Sequence, residues 1–290
     1  MNWEETILYI RERKEYGELI DKAFLSSDLV HNVEKYRISE EFSSILSIVK
    51  SLQPTGKSIL DIGSGNGITA ISFALEGYKV VAVEPDSSLT IGCGAIQKLK
   101  EFYKLDNLEI NQGFCEDIEF KSNLFDVVFA RQCMHHALDL TVFVKEMGRV
   151  LKPGGVFFTV RDHVVFDDND KERFLQNHPL HKYYHGENAY TTKEYKEAIE
   201  NAGLALINEY KYYDSVINYF PKRRDEIENM HSNRIKKVRE SLSRKFGNLF
   251  FISHLMLLLY KIKNNLNYND TYDEKKIPGR MYSYLARKSQ

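Results

Sequence analysis

The stretch KSILDIGSGNGITAISFALEGYKVVAVEPD, residues 57–86, constrains this chain more than any other. It opens on a short apolar run, ended by Asp61 and Gly63, that predicts a buried strand. ITAISFALEGY predicts a helix stopped by Gly77, and KVVAVEPD predicts a second strand ending in Glu84. Between the first strand and the helix stand Gly63, Ser64, Gly65, Asn66 and Gly67. Glycines permit a tight turn and let a ligand approach the backbone with no Cβ in the way. Glu84 stands where a carboxylate can accept hydrogen bonds from two ribose hydroxyls. Placed between a strand and a helix, and followed by an acid, the glycines read as a ligand-binding turn rather than a bare loop.

The alternation continues down the chain. A helical stretch to about Lys104 precedes strands at NLEINQG and FDVVFA. The helix LTVFVKEMGRVL ends at Lys152–Pro153–Gly154–Gly155, and GVFFTV is the fifth strand. Thr191 and Glu194 form a capping box for the helix TTKEYKEAIENAGL. ALINEYKYY and RMYSYLARK read as the sixth and seventh strands. Strands alternating with helices predict an α/β fold with a parallel sheet covered on both faces. The expected organisation is a helical cap over 1–53, a core over 54–213 with a lid insertion at 164–190, a helical insertion over 214–276, and a last core strand in 277–290. The formal net charge of −1 gives no global pull toward nucleic acid. Three cysteines without a CxxC spacing suit reduced thiols in a cytoplasm. The acidic, mixed start is unlike a secretion signal, and no apolar run reaches the roughly 20 residues of a membrane span.

Taken together, ILDIGSGNG, VVAVEPD, FDVVFARQCMHH and LKPGG resemble the motifs of class I S-adenosylmethionine-dependent methyltransferases, over about residues 57–213. The resemblance implies a seven-stranded Rossmann-like sheet whose last strand is antiparallel. It implies that Asp61, Gly63, Ser64 and Gly65 hold the amino-acid part of S-adenosylmethionine, whose demethylated product is S-adenosylhomocysteine. It places Glu84 at the ribose, Pro85 and Asp86 beside the adenine, Cys115 and Glu116 at the adenine edge, and Arg131 and Gln132 near the methionine chain. One departure stands out: relatives often read Gly-Asp-Ala where this chain reads Gly113-Phe114-Cys115. Either Phe114 packs on the purine, or Glu116 or Asp117 reaches its amine. A nicotinamide dehydrogenase would need a glycine three residues after the second one, and Ile68 stands there.

His135 and His136 follow strand four, and Arg161, Asp162 and His163 are expected just past strand five. Ligands of open α/β sheets sit beyond the carboxyl ends of the strands, so these five residues should share one crevice. An alcohol needs its proton removed before it attacks a methyl group. A histidine can take that proton near neutral pH, and a carboxylate can orient it. The expected base is His135 or His136, with Asp162 or His163 as partner. Adjacent side chains on a helical turn diverge, which favours one of them, His135, as the group touching the acceptor. The pattern resembles certain sugar O-methyltransferases, although their Asp position aligns with Arg161, one residue before Asp162; Arg161 is assigned to the acceptor. The expected reaction is O-methylation of a small hydroxylated acceptor, a sugar or glycan-pathway intermediate. N- or C-methylation of another metabolite, or a non-catalytic cofactor-binding partner, are the alternatives. A divalent ion could also use His135, Asp162, His163, His178, His181 and His185, but no HxxxH or acid triplet fixes a site, so no metal is assigned.

The lid segment DDNDKERFLQNHPLHKYYHGENAY offers His178, His181, Tyr183, Tyr184, His185, Glu187 and Asn188 to hydrogen-bond a polyhydroxylated acceptor and stack on its apolar faces. From Pro221 to Lys245 the second insertion carries nine Lys/Arg against four Asp/Glu, and FFISHLMLLLY is apolar on all sides. The apolar helix should pack on the core or on a second copy of the chain, as a homodimer. The sharper expectation is peripheral contact with an anionic membrane, giving access to a lipid-linked acceptor.

Overall fold

The structure is a computed structural model that describes residues 1–52, 54, 56–230 and 279–289, with isolated positions at 233, 236, 240, 244, 255, 259, 274 and 277. Four helices come first: α1 (Trp3–Arg11), α2 (Gly17–Lys22), α3 (Leu29–Arg37) and α4 (Glu40–Ser51). The start of α4 is set by Ser39, whose side chain accepts from Phe42 N. Strands and helices then alternate: β1 (Ser58–Ile62), α5 (Ile68–Leu75), β2 (Lys79–Glu84), α6 (Cys93–Tyr103), β3 (Leu108–Gln112) and β4 (Phe125–Arg131). A 3₁₀ turn over Met134–His136 leads to α7 (Leu140–Val150), capped by the Asp139 carboxylate on Thr141 N and Val142 N. Then come β5 (Leu151–Val165), α8 (Asp168–Asn177), α9 (His181–Tyr184) and the two-residue β6 (Tyr190–Thr191). The chain closes with α10 (Thr192–Asn201), β7 (Leu204–Tyr210), α11 (Val216–Tyr219) and β8 (Met281–Lys288). The capping box of Thr191 and Glu194 is present at the start of α10.

The sheet order is β3-β2-β1-β4-β5-β8-β7, with β6 pairing β5 off that path. β1 to β5 run parallel to one another, and β8 runs antiparallel to both β5 and β7. Alternate residues of each central strand face opposite layers. Ile59, Val127, Phe129 and Phe158 face one core, and Leu60, Val128, Ala130 and Phe157 face the other. The order reverses at β1, which sends β2 and β3 to one side and β4 and β5 to the other, and opens a crevice at the carboxyl ends.

The fifth strand departs from expectation in a way that matters for the site. It does not stop before Arg161. It runs on through Asp162 and His163 to Val165, because Val164 and Val165 pair with β6 and His163 pairs with β8. The register against β8 shifts between Thr159 and Asp162, where Arg161 adopts φ +63. This bulge turns the side chains of Arg161 and Asp162 to different surroundings. The lid is likewise shorter than 164–190, since its first two residues belong to the strand.

In the lid, α9 lies against α1. Tyr184 meets Trp3 at 5.2 Å between ring centroids, and Tyr183 meets Tyr9 at 4.8 Å. Ile7, Ile10, Leu180 and Ile91, which follows β2, are buried together beneath them. Within the second insertion, α11 packs on the core: Asn218 donates to the Tyr210 and Lys211 carbonyls and accepts from Ser283. Apart from exposed Leu255 and Leu259, the stretch FFISHLMLLLY lies outside the described residues, as does most of the basic segment, and so do the contacts expected of them. No helix among the described residues is long and apolar enough to cross a membrane.

Candidate active site

The glycine turn leaves β1 with Gly63 at φ +63 and Gly65 at φ +55, the left-handed region that L side chains resist. A Cβ on Gly63 would lie 2.3 Å from Cys133 Sγ, whereas one on Gly65 would meet nothing within 4 Å. Gly63 therefore lets the β4 end pack close, and Gly65 opens onto free space in the crevice. Two carboxylates flank the turn. Asp61 is buried at 1 % exposure; its Oδ2 accepts from Thr69 Oγ1 at 2.6 Å, and its Oδ1 has no partner. Burial lifts its carboxyl from 3.8 to about 7, against the Thr69 hydrogen bond and the Arg131 charge. Glu84 accepts from Gly65 N at 2.7 Å and from Asp86 N at 3.0 Å, and burial lifts it from 4.5 to about 7. Gln112 donates to the Pro85 carbonyl, and the Asp86 carboxylate caps Ser88 N.

Across the crevice four histidines gather around Glu187. His135 Nδ1 lies 3.0 Å from Asp162 Oδ1, which also accepts from His135 N; Asp162 Oδ2 accepts from Thr159 Oγ1. His136 Nδ1 lies 2.9 Å from the Gly186 carbonyl, and His163 Nδ1 lies 3.1 Å from the Gly279 carbonyl. A carbonyl can only accept, so in His136 and His163 the proton sits on Nδ1. Asp162, whose oxygens accept from three donors, fixes His135 in the same way. The remaining nitrogens turn toward Glu187: His135 Nε2 is 3.8 Å and His136 Nε2 4.0 Å from its Oε2, and His178 Nδ1 is 3.8 Å from its Oε1. Burial opposes charge on His135, but Asp162 and Glu187 together carry it up to about 9. Half-buried His136 is pushed down to about 4 by burial and by the His135 charge. Glu187 is held low, despite its burial, by the histidines around it. The two cofactor-side acids and this cluster are neighbours, because Cys133, which packs on Gly63, opens the turn that carries both histidines.

Several sequence-derived expectations change. The rings of His135 and His136 do not diverge; their centroids are 4.1 Å apart. A 3₁₀ turn followed at once by an extended residue lets neighbouring side chains fold over the same side. Arg161 is not on the histidine side. It donates to the Ile217 and Phe220 carbonyls at 2.8 and 3.0 Å and lies 3.7 Å from Glu41, because the bulge turns it toward α4 and α11. Arg131 makes a two-pronged pair with Glu41, at 2.7 and 3.2 Å, and holds Gln132 Oε1 at 2.8 Å. Glu116 accepts from Leu138 N and so braces the turn before α7, while Phe114 stands 69 % exposed beside Cys115, whose sulfur is 3.9 Å from Cys133 Sγ. Of the lid residues, His178 joins the cluster. His181 pairs with exposed His185 at 5.6 Å, and Tyr184 is taken up by Trp3. Glu41 is the residue that sequence reasoning passed over, and Glu187 was expected at the acceptor rather than among the histidines. Each is a lone acid in a polar segment, and only folding reveals its partners.

An open sheet of this order, with a glycine turn after β1, an acid ending β2 and a polar cluster beyond β4 and β5, defines the class I methyltransferase fold. The chain belongs to the methyltransferase domain family, whose profile matches residues 31–209. It is 28 % identical over 151 residues to the uncharacterised methyltransferase YcgJ of Bacillus subtilis, covering 51 % of this chain and 58 % of that protein. The crystal structure of YcgJ superposes with a TM-score of 0.53 at 20 % identity, covering 86 % of this chain and 99 % of that one. Among enzymes, the chain is 29 % identical to the fatty-acid O-methyltransferase of Mycolicibacterium smegmatis, over 43 % of this chain and 44 % of that one. It is 28 % identical to the human mitochondrial ubiquinone biosynthesis O-methyltransferase, over 44 % of this chain and 36 % of that one. The chain thus spans about half the length of these curated relatives. The cofactor of the family is S-adenosylmethionine. The residues present suit it: a partnerless buried carboxylate oxygen on Asp61 awaits a donor, and the space over Gly65 is open.

Proposed function

We propose that the protein is an S-adenosylmethionine-dependent O-methyltransferase acting on a small hydroxylated acceptor, with a sugar or glycan-pathway intermediate as the favoured class. The bound cofactor supplies an electrophilic methyl group on a sulfonium. Asp61 receives the amine of its amino-acid end, with the backbone at Gly63, Ser64 and Gly65 lying alongside. Glu84 exchanges its hydrogen bond to Gly65 N for the ribose hydroxyls. Pro85, Asp86 and Cys115 line the base end, and exposed Phe114 lies close enough in the chain to cover it. Arg131 acts through Glu41 and Gln132, which fix the strand end behind the methionine chain.

In this reading the proton goes to His136 rather than His135. His135 is enclosed at 1 % exposure, whereas the His136 side chain is 35 % exposed. Its Nδ1–H is committed to the Gly186 carbonyl, which leaves the Nε2 lone pair free to take the hydroxyl proton as the oxygen attacks. That single arrangement carries the reading. Asp162 and His135 position the turn behind it, and His181, His185 and Asn188 are the lid groups left to meet the acceptor.

The test is transfer of isotopically labelled methyl from S-adenosylmethionine to a panel of sugars, phenols and hydroxy acids, with mass spectrometry of the product. An oxygen-bound methyl group supports the reading. Methyl on nitrogen or carbon replaces it with N- or C-methylation, and binding without any transfer points to a non-catalytic partner.

A further inference from the structure

The lid and the sheet enclose a donor set that proton transfer alone does not explain. One ring nitrogen of His135, one of His163 and a Glu187 carboxylate oxygen lie within 4.8 Å of one another, and all three residues are buried. Both imidazoles are anchored through Nδ1, one to Asp162 and the other to the Gly279 carbonyl, so each directs a lone pair inward. This is the arrangement by which outer oxygen partners fix the orientation and tautomer of metal-bound histidines. The Glu187 carboxylate is 5 % exposed, and its approaches to His135, His136 and His178 are all 3.8–4.0 Å, too long for hydrogen bonds. His178 Nδ1 is buried without a partner beside it.

We propose that His135, His163 and Glu187 bind a divalent transition-metal ion of the zinc kind, with His178 completing or supporting the site. Two imidazoles and a carboxylate make a donor set that suits zinc better than magnesium, which seeks oxygen. Three protein ligands leave a fourth coordination position for His178 or a water. Ligand atoms around a tetrahedral ion with bonds near 2.1 Å stand roughly 3.4 Å apart, so separations of up to 4.8 Å close by at most roughly 1.4 Å. Glu187, on the irregular stretch between α9 and β6, can supply that movement by side-chain rotation. A single extra proton on His135 would balance Glu187 but would leave His178 Nδ1 buried without a hydrogen-bond partner. One ion serves all of these groups and takes the place of that proton. The site is assigned independently of methyl transfer, and His136 remains outside it.

The experiment uses tag-free full chain, stripped with a strong chelator and titrated with zinc chloride, then with cobalt chloride as a spectroscopic probe. The expected result is one zinc per chain by elemental analysis and a visible cobalt band that zinc abolishes. Glu187→Gln and His163→Gln should each weaken uptake by more than about 100-fold, beyond the loss typical of outer partners, and Asp162→Asn by about 10–100-fold. Exposed His31→Ala should change nothing. Melting curves in chelator show whether each variant is folded; should His163→Gln fail, the isosteric Glu187→Gln decides. No uptake by the parent, or equal uptake by the parent and Glu187→Gln, overturns the site. Neither result bears on methyl transfer, which the labelling experiment reads separately.

Discussion

The two walls of the crevice are built on opposite plans. On the β1–β2 side the polar groups are few and short of partners. Asp61 keeps an oxygen with no hydrogen bond, and Glu84 borrows backbone donors from its own loop. On the β4–β5 side the strand-borne groups are anchored from behind: Asp162 accepts three hydrogen bonds, and each of His135, His136 and His163 is pinned through Nδ1. Buried groups that lack partners are costly and mark where a ligand completes the structure; fully wired groups hold a fixed geometry. On the proposed function, the first wall binds the cofactor and the second positions the reacting groups.

The largest effect that would sharpen this contrast is on turnover. His136→Ala should lower kcat by about 10²–10⁴-fold while leaving S-adenosylhomocysteine affinity within a few-fold, as read by steady-state kinetics and calorimetry. Equal activity in parent and variant would remove His136 from the chemistry. The next effect is on stability. Glu41→Gln leaves two buried arginine side chains, Arg131 and Arg161, without their shared carboxylate. Breaking a buried pair of this kind costs about 3–5 kcal/mol, to be measured by urea unfolding. A loss below about 1 kcal/mol would mean that the helical cap does not depend on this pair.

On the binding wall the effects are smaller. Glu84→Gln should weaken cofactor binding by about 1.5–3 kcal/mol, the worth of hydrogen bonds to a charged group. Affinity should also depend on pH. In the unfolded chain Asp61 and Glu84 lose their protons near 3.8 and 4.5, but in the folded protein they hold them to about 7. Between those values the folded state binds more protons, so the ligand-free protein loses stability as pH rises from about 4 to about 7. A ligand that donates hydrogen bonds takes the ionised carboxylates, so its affinity rises over the approach to pH 7 and levels off above it. Binding below pH 7 should release protons, visible as calorimetric heats that change with the ionisation enthalpy of the buffer. The smallest effect is expected for Gly65→Ala. In the ligand-free protein the added methyl meets nothing within 4 Å, and only the left-handed backbone opposes it, at about 1–2 kcal/mol of stability in urea unfolding.

The same contrast explains what could be read from the sequence. The binding wall is local: strand, glycine turn, helix and acid follow one another within 30 residues, and each leaves a compositional mark. The His135–Asp162 contact was also within reach, because strands four and five are neighbours in any sheet of this order. What lay hidden was made by irregularity or by distance along the chain. The bulge at Arg161 reverses the expected side of that residue, and no local pattern announces it. Glu187 meets His135 only after the lid folds back, and Glu41 meets Arg131 across 90 positions.

Calorimetric titration of the parent and of Glu84→Gln with S-adenosylhomocysteine at pH 8 tests the account most directly. Saturable binding at one site per chain, weakened about 10–100-fold in the variant, is the predicted result. No binding heat in the parent, or the same affinity in both proteins, would contradict it.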